Sequence, residues 1–274
     1  MTALLTLTSN PAHILDLLTR AAEAGGRAAL AFYRPGETTS AQVSMKPHNS
    51  PVTEADYAAD AAIRSVLTTE LPDAAIFSEE ASEAPERHSQ RLVAVVDPID
   101  GTRAFIQGGN EWCVSLALMA DGVPVAGIIH APARNETFAA LTGHGATLNG
   151  TALPRRDAAD GRPLRISGPN RLVDTLTEHW PPTRDGETLR ALAYRLVSVA
   201  AGRHDIALAT QGAHDWDIAA AEVILAETAC RMCSLTGERP VYNAAKPVHP
   251  ALIAGEARTV DRLVAALADA GVRA

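Results

Sequence analysis

Apolar residues at the start of the chain recur with the spacing of an α-helix. Asn10-Pro11 supplies a side-chain cap and a proline at the first helical position. The apolar residues that follow are three, four or seven positions apart: Ile14, Leu18, Ala21, Ala28 and Phe32. This stripe predicts one helix that ends near residues 34–36. A second helix is predicted from residue 53 to residue 67, because Thr53 can cap it and Asp56 stands three residues further on.

The middle of the chain changes to short apolar runs that are typical of strands. Residues 92–96 read Leu-Val-Ala-Val-Val and favour a buried strand. The runs at 112–119, 124–130 and 137–141 are separated by short turns, which predicts an antiparallel meander. Helices then alternate with strands, with helices at 189–201, 217–228 and 259–270 and strands at 205–209 and 251–254. This order favours a layered α+β or α/β enzyme.

A chain of 274 residues suggests one large domain or two closely packed ones, at roughly 100–200 residues per domain. Residues 142–165 contain several glycines and form the best candidate boundary between two domains. We therefore divide the chain into an N-terminal α+β half, residues 1–150, and a C-terminal α/β half, residues 151–274.

Composition and charge narrow the class of protein. The 24 Lys and Arg against 32 Asp and Glu give a net charge of −8, which argues against a nucleic-acid partner. The sequence has no apolar run of about 18 residues, so we expect no membrane span. The start lacks the basic residues of a secretory signal, and three cysteines are an odd number in a chain of this size. Both features predict a cytoplasmic protein.

The segment Asp97-Pro98-Ile99-Asp100-Gly101-Thr102 carries the clearest chemistry. Proline fixes the backbone and glycine permits unusual angles, so the turn can direct two carboxylates and the Ile99 carbonyl towards one point. Such all-oxygen groups suit Mg²⁺. The alternative is a capped turn followed by a surface bend. Two further acidic segments at predicted element boundaries, Ser78-Glu79-Glu80 and His214-Asp215-Trp216-Asp217, favour a metal site instead.

Together these blocks resemble the inositol monophosphatase superfamily of magnesium-dependent, lithium-sensitive phosphatases. The resemblance covers nearly the whole chain and includes residues 126–129 and 143–150. It implies a five-layered αβαβα sandwich of the sugar phosphatase type, with the site between the two halves. It also implies two or three Mg²⁺ ions and a small phosphorylated metabolite as the substrate. Homodimers are expected by analogy with the family.

The resemblance assigns roles residue by residue. It implies metal binding by four carboxylates and one main-chain carbonyl: Glu79, Asp97, Asp100, Asp217 and the carbonyl of Ile99. The amides of Gly101 and Thr102 would hold the phosphate. Catalysis would involve the Thr102 hydroxyl, which helps to orient the attacking water, and Glu79. No nucleophilic side chain is needed, because metal ions can activate the water and offset charge on the leaving oxygen.

The block from Lys46 to Asp56 resembles the K-x-D-x-S-P-V-T block of bacterial 3'(2'),5'-bisphosphate nucleotidases and related histidinol-phosphate phosphatases. His48 stands where those families carry an aspartate, which we interpret as the partner of the threonine equivalent to Thr102. His48 is therefore a candidate catalytic residue, since histidine can accept a proton near neutral pH. The alternatives are a solvated loop histidine and a weakly bound third metal.

The substrate-pocket segment departs from the family pattern. Arg190-Ala191 replaces a Gly-Ser pair, and Arg195 falls at a common lysine position where it could bind a second phosphate. We expect a 3'(2'),5'-bisphosphate nucleotidase-like activity, with inositol-1-phosphate or histidinol phosphate as the alternative substrate. A catalytically weak regulatory protein that binds phosphorylated metabolites is the alternative from another class. We interpret Cys230 and Cys233 as packing residues.

Overall fold

The computed structural model describes residues 10–46, 50–81, 85–160, 162–177, 182–183 and 189–271. The α-helices within these residues are α1 Pro11–Leu30, α2 Glu54–Glu70, α3 Thr102–Ile106, α4 Asn170–Thr177, α5 Leu192–Ala200, α6 Asp215–Glu227 and α7 Ala257–Asp269. The first strands are β1 Val43–Lys46, β2 Ser50–Thr53, β3 Ala75–Ser78, β4 Leu92–Asp100, β5 Cys113–Ala120, β6 Val123–Ala131 and β7 Glu136–Leu141. The remaining strands are β8 Ala146–Leu148, β9 Thr151–Ala152, β10 Leu164–Ser167, β11 Pro182–Thr183, β12 Ile206–Ala209, β13 Cys230–Ser234 and β14 Leu252–Glu256.

The two N-terminal helices begin where the sequence predicts. The side chain of Asn10 accepts a hydrogen bond from the amide of His13, so it caps α1. Helix α2 has a reciprocal capping box: the Ala55 amide donates to the Thr53 hydroxyl, and the Thr53 amide donates to Asp56. Helix α1 ends at Leu30, before the predicted end, because the chain turns back and the Thr39 hydroxyl donates to the carbonyl of Phe32.

A seven-stranded sheet forms the first half of the molecule, in the order β3-β4-β5-β6-β7-β8-β9. Strands β3 and β4 are parallel, and every other neighbouring pair is antiparallel, which confirms the predicted meander. Strand β4 continues past the predicted end at Val96 as far as Asp100, with an irregular register between Asp97 and Asp100. The two acidic residues therefore lie at an irregular strand end.

A five-stranded sheet follows, in the order β11-β10-β12-β14-β13. Strand β10 is parallel to both β11 and β12, whereas β14 is antiparallel to β12 and β13. Cys230 and Cys233 are buried on β13, and Cys233 belongs to an apolar core with residues of α4 and α7. These positions agree with the predicted packing role.

The helices and sheets stack as the predicted five-layered αβαβα sandwich. Helices α1 and α2 pack against the outer face of the seven-stranded sheet. Helix α6 contacts β4, β5, β6 and β7 on the inner face and also β13, while α5 contacts β12 and β14. Helices α4 and α7 cover the other face of the second sheet. Within the described residues, no helix combines the length and the apolarity needed to cross a membrane.

A glycine lets the central helix approach the first sheet closely. A Cβ atom on Gly127 of β6 would lie 2.3 Å from the carbonyl oxygen of Ala220 in α6. A larger residue would therefore push α6 away from the sheet. Because α6 carries Asp217 in its first turn, this contact also sets the distance between Asp217 and the acidic residues of β4.

Candidate active site

Eight of the nine predicted site residues line one cavity of about 370 Å³. They are Glu79, Asp97, Ile99, Asp100, Gly101, Thr102, Arg195 and Asp217. The ninth, His48, lies outside the described residues. The cavity walls also include two arginines that the sequence analysis left without a role, Arg103 and Arg190. The cavity thus combines a cluster of acidic side chains with three cationic ones.

The end of β4 positions the first two acids of the cluster. Asp97 accepts a hydrogen bond from the Ile99 amide at 3.0 Å, which holds the turn between the two carboxylates. Both oxygens of Asp100 accept hydrogen bonds from the first turn of α5, from the amide of Leu192 at 3.1 Å and that of Ala193 at 2.6 Å. The carboxylate of Asp100 therefore also stabilises the positive end of that helix.

Helix α6 delivers the third acid. Asp217 is the third residue of α6, and its Oδ2 accepts the amide hydrogen of His214 at 2.6 Å. This bond belongs to the N-terminal capping of the helix, so the local fold fixes the side chain of Asp217. Asp97, Asp100 and Asp217 each offer a carboxylate oxygen within 4.8 Å of the others. Residues far apart in sequence are therefore brought together.

Burial makes the ionised form of these acids costly. Burial raises the pKa of Asp97 well above its ordinary value, and the charges of Glu79 and Asp100 raise it further. Burial likewise raises the pKa of Asp217, with Asp100 adding to the effect, and that of Asp100 to about 6. A divalent cation would relieve both the desolvation and the mutual repulsion. The all-oxygen donor set fits Mg²⁺.

Glu79 reaches the cavity from the end of β3, where it is held by a lysine. The amine of Lys46 lies 3.0 Å from Glu79 Oε1 and 2.7 Å from Glu80 Oε1. The side chain of Glu79 is 23% exposed, whereas that of Glu80 is 2% exposed. Burial raises the pKa of Glu80 to about 7. Lys46 therefore attaches the β1–β2 hairpin to the acidic pair.

The structure identifies Asp56 as a site residue that the sequence analysis missed. The Thr102 hydroxyl lies 3.0 Å from the carbonyl of Ile99 and 3.4 Å from Asp56 Oδ1. The sequence analysis places the acidic partner of Thr102 at the position of His48, whereas the acidic side chain near the Thr102 hydroxyl within the described residues is that of Asp56. Burial raises the pKa of Asp56 to about 6. The sequence signal for Asp56 is the Thr-x-x-Asp pattern, which by itself indicates only a helix cap.

Arg195 lines the cavity, but its guanidinium mainly holds the backbone. It donates to the carbonyl of Leu189 at 2.9 and 2.6 Å and to that of Leu208 at 2.9 Å. Burial lowers its pKa. Arg190 differs, because its side chain is 48% exposed and it hydrogen-bonds Gln107 at the rim. A bidentate bond from Arg195 to a second phosphate stays a prediction.

The fold is a layered αβαβα sandwich, and its cavity contains an acidic cluster whose geometry suits a metal ion. A family model for the inositol monophosphatase family matches residues 12–271, and the chain belongs to that family, whose members are phosphatases.

Two bacterial proteins and one crystal structure are similar to this chain over most of its length. The chain is 30% identical to the Nus factor SuhB of Escherichia coli K12 over 265 residues, which cover 93% of this chain and 96% of the relative. It is 30% identical to the 3'(2'),5'-bisphosphate nucleotidase CysQ of Aggregatibacter actinomycetemcomitans over 262 residues, or 89% of this chain and 93% of the relative. The crystal structure of the suppressor protein suhB from Bartonella henselae is also similar. It superposes with a TM-score of 0.81 at 26% identity and covers 93% of this chain and 98% of that chain.

Proposed function

We propose that the protein hydrolyses a small phosphate monoester with the help of Mg²⁺ held by Asp97, Asp100 and Asp217. The observation that carries this proposal is the approach of their carboxylate oxygens to within 4.8 Å inside a cavity. Glu79 and the Ile99 carbonyl border the same cavity and complete the proposed donor set. The ions supply a water nucleophile at neutral pH and positive charge at the leaving oxygen.

Thr102 and Asp56 orient the attacking water in this proposal. The hydroxyl hydrogen of Thr102 is directed to the Ile99 carbonyl or to Asp56, which leaves an oxygen lone pair available to accept from a water molecule. When the Thr102 hydroxyl donates to Asp56, the water can give a proton to the Thr102 oxygen while the Thr102 hydrogen passes to the Asp56 carboxylate. The amides of Gly101 and Thr102 are assigned to the phosphate, at the start of α3.

The cationic wall of the cavity supports a substrate with two anionic groups. Arg103 and Arg190 border the same space as the acidic cluster, so one phosphate can lie at the metals while a second faces the arginines. The similarity to a 3'(2'),5'-bisphosphate nucleotidase favours the same substrate class. We therefore propose a bisphosphate nucleotide as the substrate, ahead of inositol-1-phosphate and histidinol phosphate.

A phosphate-release assay tests this function. The purified protein is incubated with Mg²⁺ and a bisphosphate nucleotide, inositol-1-phosphate, histidinol phosphate or an unspecific aryl phosphate, with and without Li⁺. We expect Mg²⁺-dependent release, fastest from the bisphosphate and inhibited by Li⁺. Asp160→Asn serves as the control, since Asp160 is 78% exposed and pairs with Arg262 at the surface. Faster release from either alternative substrate would overturn the substrate assignment.

A second candidate is a regulatory role with weak catalysis. The relative from Escherichia coli is named as a Nus factor and not as a phosphatase. The absence of Mg²⁺-dependent hydrolysis of every ester, together with tight binding of one of them, would favour this role for the present chain.

A further inference from the structure

A buried pair of ionisable residues lies directly behind the first turn of α6. Asp215, the first residue of that helix, is 0% exposed, and His249 is 5% exposed. His249 Nε2 lies 2.8 Å from Asp215 Oδ1. Asp215 Oδ2 accepts the amide hydrogen of Asn243 at 2.8 Å. Both oxygens of a fully buried carboxylate are therefore satisfied by one segment of chain, residues 243–249, which we name the strap.

The main chain joins the strap to the residues just before α6. The His249 amide donates to the Ala213 carbonyl at 2.7 Å, and the Gly212 amide donates to the His249 carbonyl at 3.0 Å. The Asp215 amide donates to the carbonyl of Pro247 at 3.3 Å. The strap and residues 212–215 thus form one hydrogen-bonded unit.

An arginine from the first half of the chain anchors the other end of the strap. The guanidinium of Arg87 donates to Asn243 Oδ1 at 2.5 Å and to the Ala244 carbonyl at 2.9 Å. Its Cζ atom also lies 4.3 Å from the centre of the Phe77 ring. Phe77 is the residue before Ser78, with which β3 ends. The strap is therefore fixed relative to the strand end from which Glu79 enters the cavity.

One backbone amide links this hydrogen-bonded unit to the acidic cluster. The amide of His214, adjacent to Asp215, donates to Asp217 Oδ2 at 2.6 Å. A displacement of Asp215 would move this donor and the first helical turn, and the carboxylate of Asp217 would move with them. Asp217 comes within 4.8 Å of its partner acids, so a shift of about 1 Å is large on the scale of the site.

We propose that Asp215 and His249 are positioning residues that aim Asp217 at the metal ions. The hydrogen bond between His249 Nε2 and the buried carboxyl of Asp215 fixes the start of α6 in the orientation that metal binding needs. The inference rests on the proposed role of Asp217 as a metal ligand. His249, which does not line the cavity, then controls the affinity of the site for metal ions.

Direct metal binding tests the proposal without relying on turnover. Mg²⁺ and Mn²⁺ are titrated calorimetrically into metal-free wild type, His249→Ala and His249→Gln, and thermal unfolding is recorded for each. We expect His249→Ala to raise the metal Kd by about 10- to 100-fold, the range seen when residues that orient metal ligands are changed. His249→Gln should restore affinity to within a few-fold, since its amide can donate from nearly the same place as Nε2.

A second buried histidine provides a matched control. His204 is 1% exposed, and its Nδ1 lies 2.8 Å from the hydroxyl of Ser198, beyond the end of α5. His204→Ala should lower the melting temperature but leave the metal Kd unchanged. Equal weakening of metal binding by the two alanine variants would overturn the proposal, as would wild-type affinity in His249→Ala.

A folding failure of His249→Ala leaves the test intact. In that case His249→Gln is compared with His249→Asn, whose shorter side chain cannot reach Asp215. The proposal predicts near wild-type affinity for glutamine and weak binding for asparagine, and equal affinities would contradict it. Failure of wild type to bind either metal would instead refute the proposed metal site, so the two ideas fail in different ways.

Discussion

We predict that the protein without divalent cations becomes less stable as the pH rises from 5 to 7. The folded pKa of Asp100 is about 6, against an ordinary value of 3.8. Between these values the folded protein binds more protons than the unfolded chain, so the free energy of unfolding falls with rising pH. Burial raises the pKa of Asp97 and Asp217 as well, so both act in the same direction.

The size of the effect follows from the pKa of Asp100. Integration from pH 5 to pH 7 with the two pKa values gives a loss of about 1.3 kcal/mol for this carboxyl alone. Asp56, whose pKa is also about 6, contributes a similar amount. For a chain of 274 residues, each such carboxyl corresponds to a melting temperature lower by roughly 2–3 °C at pH 7 than at pH 5.

Thermal unfolding at half-unit pH steps, in chelator and in saturating Mg²⁺, measures this effect. Mg²⁺ favours the ionised carboxylates, so the rise in melting temperature that it causes should grow between pH 5 and pH 7. The difference between the two curves removes the contribution of distant groups such as His130, whose pKa is lowered by burial. A Mg²⁺-induced rise that is constant or shrinks over this range would refute the reasoning.

Four substitutions test individual parts of the site. Asp97→Asn and Asp217→Asn should each abolish turnover with an unchanged circular dichroism spectrum, and full activity of either would contradict the metal assignment. The metal-free variants should melt above wild type at pH 7, because burial raises the pKa of both carboxyls and an amide has no such cost of folding. Asp56→Asn should lower kcat by about 10²–10³-fold with a smaller change in KM, as measured by steady-state kinetics. Gly101→Ala should lower both activity and melting temperature, since Gly101 has φ +90° and an added Cβ would lie 3.0 Å from that of Ala191.

The sequence predicted the fold closely where local signals are strong. The cap at Asn10, the capping box at Thr53 and the turns between β5, β6 and β7 are encoded by neighbouring residues, and the structure confirms them. The full extent of β4 was missed, because Pro98 interrupts the strand pattern and only pairing with β5 carries the strand on to Asp100. The division at residue 150, the homodimer and the cytoplasmic location stay predictions.

The members of the acidic cluster could be predicted because they belong to motifs that resemble those of the family. Only the folded chain brings these residues together. Asp56 was missed, since its carboxylate both caps α2 and faces Thr102, and a cap alone explains the local sequence. The carbonyl contacts of Arg195 could not be foreseen either. They depend on how α5 lies against β12, which short-range patterns do not specify.

Anomalous diffraction from crystals of the protein grown with Mn²⁺ tests the central claim most directly. The account predicts anomalous peaks in the cavity at about 2.0–2.2 Å from carboxylate oxygens of Asp97, Asp100 and Asp217. Peaks confined to other parts of the molecule, or a cavity without bound metal at saturating Mn²⁺, would contradict it.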